Sequence, residues 1–379
     1  MRIAIIGAGN AGCVTALHYQ KYLSEQSDKF EIEIYHSPHY HPIEKVGQGT
    51  TIPVPRLICS TLGIDWYNNP IDATIKTGIL YEGWGQKNDK IFHPFEMPNA
   101  AMHFVPQKLS ECVLNSKFFK VHEKVINNPE DEIDANIIFD CRGRHNREKD
   151  NYEELTNPLN TVLLSKKFDK DPDLIYTRCV ATPNGWTFVI PNKDSVSYGY
   201  LYNNKITERE DAIVDFTSRF ELDYIIDELV FDNYMAKDFY NGGRTILQGN
   251  MYGFIEPMEA TSVAFYQYIC RQSWDLIFKI QSYEYCNNKI RTNMRQLENI
   301  ILWHYQFGSK FDTPFWEYAK SLPFNPDKKF YEMISDEKND PEQYGQWKKW
   351  NFDNWKSCLL YTSDAADEGL GVDLGGRRI

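Results

Sequence analysis

The stretch RIAIIGAGNAGCVTALHYQKYL, residues 2–23, decides the fold. Residues 2–6 are a short apolar run, Gly7, Gly9 and Gly12 follow at G-x-G-x-x-G spacing, and CVTALHYQKYL continues as a helix. The next apolar run, EIEIY at 31–35, begins 25 residues after the first ends. Strand, tight turn, helix and strand at this spacing predict a βαβ nucleotide-binding unit. Gly7 permits the turn, Gly9 lets backbone approach a pyrophosphate, and Gly12 lets the helix pack closely on the strand. The helix amides and dipole then face the phosphates. The second strand ends Tyr35-His36-Ser37, without the acid that usually holds an adenosine ribose, so His36 or Ser37 is left to supply that hydrogen bond.

The rest of the composition bounds the reading. A chain of 379 residues has room for two or three domains. With 41 basic and 53 acidic side chains the net charge is −12, which argues against a nucleic-acid binder. Eight scattered cysteines show no C-x-x-C pair, and no histidines fall at zinc spacing, so thiols in a reducing compartment and no metal are expected. No run reaches the ~18 apolar residues of a membrane span. A cytoplasmic protein is the expectation. The 24 Tyr, 22 Phe and 9 Trp suit a pocket for a flat ligand and suit core packing equally well. YTSDAADEGLGVDLGGRRI, residues 361–379, loses the aromatic content and periodicity of the preceding chain and is expected to be a non-native or disordered tail.

Between these ends, VGQGTTIPVP (46–55) reads on composition as an ordinary connecting loop before a helix through LICSTLGI. ATIKTGILYEGW (73–84) alternates as a strand, and a lysine such as Lys76 on a half-buried strand is by default solvated. In IFHPF (91–95), His93 and Phe95 stand two residues apart, with core filling or a turn as the default. GWTFVIP (185–191) and VSYGYLYN (196–203) predict antiparallel strands of a second sheet. Pro257 suits the first turn of a helix, which places Glu259 and Thr261 near its N-terminus. ENIILWHYQFGSKFDTPFWEYAKSL (298–322) reads as helix, turn and helix.

Taken together these segments resemble the flavin-dependent halogenases of the tryptophan halogenase family. VGQGTTIP is similar to the family's VGEATIP strap, with Gln48 for Glu and one extra Thr. ATIKTGILYEGW resembles the strand of the catalytic lysine, and His93-Pro-Phe95 the family's HPF. GWTFVIP approximates W-x-W-x-I-P with Phe188 for the second Trp. GFIEPMEATS is similar to GFxEPLEST, and DTPFW to D-[ST]-P-[FY]-W. The matches keep the family's order from residue 1 to about 322.

The resemblance implies an α/β fold. An FAD-binding Rossmann-like module, flavin monooxygenase-like, carries an interleaved mixed and antiparallel substrate module and C-terminal helices. Residues 1–60 would be the βαβ unit, about 70–130 and 155–240 substrate-module segments, and 257–350 helical, all within a halogenase-like region 1–360. The implied reaction uses FAD as FADH2, dioxygen and a halide ion to make hypohalous acid, which passes to Lys76 and then to an electron-rich indole or phenol, with Glu259 assisting deprotonation. Cofactor contacts would come from Gly7, Gly9, Asn10, Ala11, Gly12, Ser37, Val46, Gly47, Gly49 and Val263. Thr261 and Ser262 would hold halide, and His93 and Phe95 the small aromatic substrate. A separate NAD(P)H-dependent flavin reductase would supply FADH2, and a homodimer is compatible with the reading. The competing readings are a flavin monooxygenase or hydroxylase, and a flavin-binding protein without turnover because of a shortened C-terminus.

Overall fold

Apolar strands of the N-terminal unit pair with later strands into one parallel sheet, and the chain elsewhere builds a larger mixed sheet. The computed structural model describes residues 1–26, 29–38, 45–85, 90–95, 100–144, 147–169, 173–324 and 326, without the side chains of Glu259 and Phe307. The tail expected at 361–379 and the helical continuation expected at 327–350 lie outside the described residues.

The elements are, in order, β1 (Arg2–Ile6), α1 (Asn10–Ser24), β2 (Glu31–His36), β3 (Gln48–Gly49), α2 (Pro53–Leu62), β4 (Thr74–Lys76), β5 (Gly78–Glu82) and β6 (Lys90–Pro94). Then come β7 (Ala101–Phe104), α3 (Pro106–Leu114), β8 (Lys120–Glu123), α4 (Pro129–Glu132), β9 (Ile137–Asp140), β10 (Tyr152–Glu154), β11 (Thr161–Lys167) and β12 (Thr177–Thr182). The remainder is β13 (Gly185–Pro191), β14 (Val196–Tyr202), α5 (Arg209–Phe220), β15 (Asp227–Val230), β16 (Tyr234–Ala236), β17 (Thr245–Leu247), β18 (Gly253–Phe254), α6 (Thr261–Ile277), α7 (Tyr283–Phe307) and α8 (Pro314–Ser321).

The nucleotide sheet has the order β17-β9-β1-β2-β8, with every pairing parallel. Segment 70–130 therefore divides between sheets, since β8 pairs with β2. Helix α1 lies between this sheet and α6. The Tyr19 ring packs 5.0 Å from Phe139 of β9, and its hydroxyl meets Ser273 Oγ of α6 at 3.0 Å. A Cβ on Gly12 would stand 1.9 Å from the Gly7 carbonyl oxygen, so the turn closes only without a side chain there.

The second sheet has the order β15-β11-β14-β13-β12-β5-β6 and is antiparallel except where β12 meets β5. All residues of β13 and β14 are buried because both faces are covered. Trp186, Phe188 and Ile190 point into the main core, whereas Val189 and the tyrosines of β14 join a second cluster with α5, Tyr200 against Phe216 and Tyr198 against Phe220. The predicted hairpin GWTFVIP–VSYGYLYN is thus present, as is the helix–turn–helix of α7 and α8.

A third sheet, β3-β7-β4, corrects two expectations. The strap 46–55 is not an ordinary loop, because Gln48–Gly49 pairs with His103–Phe104. Helix α2 starts at Pro53, before LICSTLGI, with prolines in the first turn where their missing N–H costs nothing. ATIKTGILYEGW is not one strand either. It changes sheet at Thr77, whose N–H donates to Ile175 O and whose carbonyl accepts from Phe95 N–H. Among the described residues no helix is long and apolar enough to cross a membrane.

Gly12→Ala should cost at least about 1–3 kcal/mol of stability, because the obstructing atom is backbone and cannot rotate away. Chemical denaturation of the variant measures this, and a wild-type midpoint would contradict the close-packed turn.

Candidate functional site

The nucleotide end is built on the N-terminus of α1. Gly7 has φ +104°, and Gly9 occupies the N-cap position, so the first-turn amides of Ala11 and Gly12 lack helical partners. Asn10 is buried, and its Oδ1 has no partner among the described residues. Among the described residues β2 itself carries no uncommitted acid for a ribose. Glu33 within that strand is committed to Tyr35, Lys120 and His122, and the His36 ring contacts Ser37 O at 3.2 Å. Opposite Ala11 lies Gly249, with φ +63°, where a Cβ would sit 2.3 Å from the Ala11 methyl. Gln248 fixes that loop: its amide nitrogen donates to Thr15 Oγ1 and Tyr266 O, and its Oε1 accepts from Gly249 N–H. Sequence reasoning assigned neither residue a role, although the G-N-x-Y-G run signals a tight turn.

The strap crosses from this end to the second sheet. Val46 is buried, and Gly47 N–H donates to Ser197 Oγ at 2.9 Å. A Cβ on Gly47 would fall 1.8 Å from Asn192 Oδ1, so strap and sheet touch backbone to side chain. Gly49 pairs with His103, Thr50 N–H donates to Met102 O at 2.8 Å, and Met102 N–H donates to the Thr50 hydroxyl at 3.0 Å.

Lys76 is 1% exposed, which overturns the default of a solvated strand lysine. The change of sheet after it turns its side chain inward. Its Nζ donates to Thr50 O at 3.2 Å and stands 5.5 Å from the centre of the Phe95 ring. Gly49 lies beside it, and a Cβ there would be 3.4 Å from Lys76 Nζ and 3.5 Å from the Ala260 methyl. The lysine and the turn before α6 therefore flank one point on the strap. His103 shares the space: burial, with the Lys76 charge, holds its pKa well below the usual value, so the ring is neutral. Its Nε2 meets Thr177 Oγ1 at 2.8 Å, and its Nδ1 has no partner among the described residues. Sequence reasoning missed His103; the apolar strand AMHF gave no sign of it.

The turn departs from expectation as well. Pro257 does not begin α6; it precedes a 3-10 turn over Met258–Ala260, and α6 starts at Thr261. Ala260 is left-handed at φ 53°, ψ 38°, and Thr261 is right-handed. This alternation is the backbone pattern of an anion nest, of which the first amide, Ala260 N–H, is already given to Pro257 O at 3.0 Å. Thr261 is buried, with Oγ1 lacking a partner among the described residues, while Ser262 is half-buried and Val263 buried. The Glu259 backbone lies in the turn, and its carboxylate is outside the described side chains.

His93 and Phe95 lie on or just after β6, rather than in a turn. Phe95 faces Lys76, and His93 meets the Tyr81 ring edge-on at 5.3 Å. Behind them Glu256 is fully buried and accepts from Trp186 Nε1 at 2.8 Å, Tyr305 OH at 2.7 and 3.0 Å, and Asn157 Nδ2 at 3.1 Å. Burial raises its pKa from an ordinary 4.5 to about 7, against the pull of those donors. Glu256 was also missed, since an acid before proline reads as surface loop.

The tryptophan halogenase family model matches residues 2–110 and 120–367 of this chain. Tryptophan 7-halogenase RebH of Lentzea aerocolonigenes is 23% identical over 207 residues, which cover 50% of this chain and 39% of that protein. Tryptophan 6-halogenase ThaL of Streptomyces albogriseolus is 24% identical over 155 residues, 39% of this chain and 29% of that protein. The aligned stretches thus span less than half the length of these relatives. Among solved structures, tryptophan halogenase from Shewanella frigidimarina superposes with TM-score 0.76 at 17% identity, over 95% of this chain and 88% of that one. BrvH, a flavin-dependent halogenase from Brevundimonas, gives 0.72 at 16%, over 98% and 89%. The structural likeness is one of fold.

The raised Glu256 pKa makes a signed prediction. A folded value near 7 against 4.5 unfolded means that its contribution is full below about pH 4.5 and is lost as pH rises through 7. The whole shift is on the order of 3 kcal/mol. The titratable groups facing it are Tyr305 and His304 on α7 and Cys179 on β12. Because glutamine does not titrate, the melting temperature of Glu256→Gln should rise relative to wild type between pH 5 and pH 8. Parallel melting curves across that range would contradict the assignment.

Proposed function

The chain belongs to the tryptophan halogenase family, and from that premise we propose that it is an FADH2-dependent halogenase acting on an electron-rich aromatic of indole or phenol type. The observation that carries the reading is the buried Lys76 ammonium between the strap, the Phe95 ring and the turn before α6. An ammonium taken out of water costs several kcal/mol, and a site that keeps one has a use for its charge.

The residues fit a bound FAD. The Gly7–Gly12 turn and the bare Gly249 face leave backbone exposed to a pyrophosphate, and the α1 amides supply donors. Gly7, Gly9, Asn10, Ala11 and Gly12 would hold the phosphates and Ser37 the ribose edge, with Val46, Gly47, Gly49 and Val263 along the ring system. The bound group supplies the oxidising step, in which FADH2, dioxygen, halide and a proton give FAD, hypohalous acid and water.

The chain's own residues govern the later steps. The nest at Thr261 and Ser262 holds the halide through backbone N–H groups. Lys76 receives the hypohalous acid, polarising it through its ammonium or carrying the halogen as an amine. Phe95 and His93 hold the aromatic ring in register beside Lys76. In the ammonium route the ring carbon attacks the halogen, the departing hydroxide takes a proton from Lys76 and leaves as water, and Glu259 takes the ring proton. In the amine route water leaves when Nζ takes up the halogen, and Lys76 Nζ is then the group the ring displaces. His103, kept neutral, adds no second positive charge beside Lys76. A separate NAD(P)H-dependent reductase supplies FADH2 in the cytoplasm, and the partner of the site is a small aromatic molecule.

Incubation with FAD, a flavin reductase, NADH, bromide and a panel of indoles and phenols should give brominated products by mass spectrometry. Oxygenated products that form regardless of halide, or retained flavin without product, would overturn the reading. Lys76→Ala should lower halogenation by at least about 10²-fold while FAD affinity stays near wild type. Normal turnover by that variant would remove Lys76 from the mechanism.

A further inference from the structure

The proposed mechanism leaves one fully buried carboxylate, Glu256, without a part. Its position is particular: it immediately precedes the turn that bears Glu259, Ala260 and the first amides of α6. We propose that Glu256 is a positioning residue of the reaction, tying that turn to strand β13 through Trp186 and to helix α7 through Tyr305. The geometry of the clamp stands by itself, and its catalytic purpose rests on the halogenase reading above.

The turn needs an external anchor. Ala260 is left-handed, a conformation that costs a residue with a Cβ on the order of 1 kcal/mol or more and persists only where the surroundings enforce it. Within the turn, the Ala260 N–H donates to Pro257 O at 3.0 Å, and Met258 is buried. Glu256 fixes the entry. Its N–H donates to Asn233 Oδ1 at 2.9 Å, and Pro257 restricts the chain direction immediately after it. Its two oxygens are shared among Trp186, Tyr305 and Asn157, so displacement of the carboxylate would strand an indole N–H and an amide in the core. Asn157 Oδ1 accepts from Leu159 N–H, which holds the amide in its donating orientation.

Trp186 thereby acquires a role that its aromatic character does not announce. Its N–H contacts the segment on which Ala260 meets the strap beside Lys76. Tyr305 does the same from α7, with its ring against Trp84 and Trp316. Movement of the second sheet relative to α6 is transmitted to the proposed halide amides through this carboxylate as well as through the strap.

Hydrogen–deuterium exchange of the full-length protein reads the clamp without reference to turnover. Glu256→Ala should exchange the amides of residues 258–262 about 10-fold faster, and Glu256→Gln, which can still accept from Trp186 and donate to Tyr305 but loses the bond from Asn157, less than about 5-fold faster. In halogenation assays Glu256→Ala should raise KM for bromide and lower kcat, together about 30-fold in kcat/KM, with FAD affinity within about 3-fold of wild type. A merely structural carboxylate would instead lower thermal stability and flavin affinity together and leave KM for bromide unchanged. Wild-type exchange in Glu256→Ala, or wild-type kcat and KM, would overturn the proposal. If Glu256→Ala does not fold, Trp186→Phe and Tyr305→Phe carry the same exchange measurement, and unchanged exchange in both overturns it. Faster exchange combined with a wild-type protein that halogenates nothing would retain the clamp and reject the halogenase reading.

Discussion

A cation removed from water organises this molecule. Lys76 Nζ is held between the Thr50 carbonyl and the face of Phe95, and three features of the backbone converge to put it there. Strand β4 leaves its sheet immediately after Lys76, strand β3 brings the strap alongside, and Gly49 keeps that strap thin enough for the ammonium and the Ala260 methyl to approach the same point. Each feature brings a partner or room to the buried Lys76 amino group. The neutral state of His103 is part of the same balance, since a second cation in that volume would be opposed by both desolvation and repulsion.

Around the ammonium the structure accepts local cost in several places. Ala260 is left-handed, Thr261 Oγ1 and His103 Nδ1 are buried without partners among the described residues, and Glu256 is an acid in the core. Native cores satisfy nearly all their buried polar groups; similar exceptions occur elsewhere, at His18, Tyr252 and Gln272 for example, and what distinguishes those at Thr261 and His103 is that they flank the strap beside Lys76. The supporting shell is rigid for the opposite reason. Trp84, Trp186 and Trp316 are buried, and their indole nitrogens donate to Cys179 O, Glu256 and Thr182 O.

Some of this was legible in the chain itself. The Gly7–Gly12 turn, the hairpin of β13 and β14 and the helices α7 and α8 follow from local pattern: glycine spacing, strand alternation and helical periodicity are properties of neighbours in sequence. The strap was misjudged because two residues of strand, Gln48–Gly49, cannot announce themselves without the partner strand β7, some fifty residues on. Pro257 gave a false helix start because a proline suits a 3-10 turn as well as a first helical turn. Glu256 and His103 were invisible for a stronger reason. Nothing in the types of their neighbours says that the side chains which bury and bond them come from β12, β13 and α7.

The amino-acid order by itself determined the elements and the family pattern, because backbone propensity and short-range spacing are written into it. Only the tertiary structure decided that the residue at 76 is buried rather than solvated, that β4 and β5 belong to different sheets, and which carboxylate anchors the turn before α6. Burial and hydrogen-bond partnership are fixed by contacts between segments far apart in the chain, and a linear pattern holds no record of those distances until the sheets have closed around them.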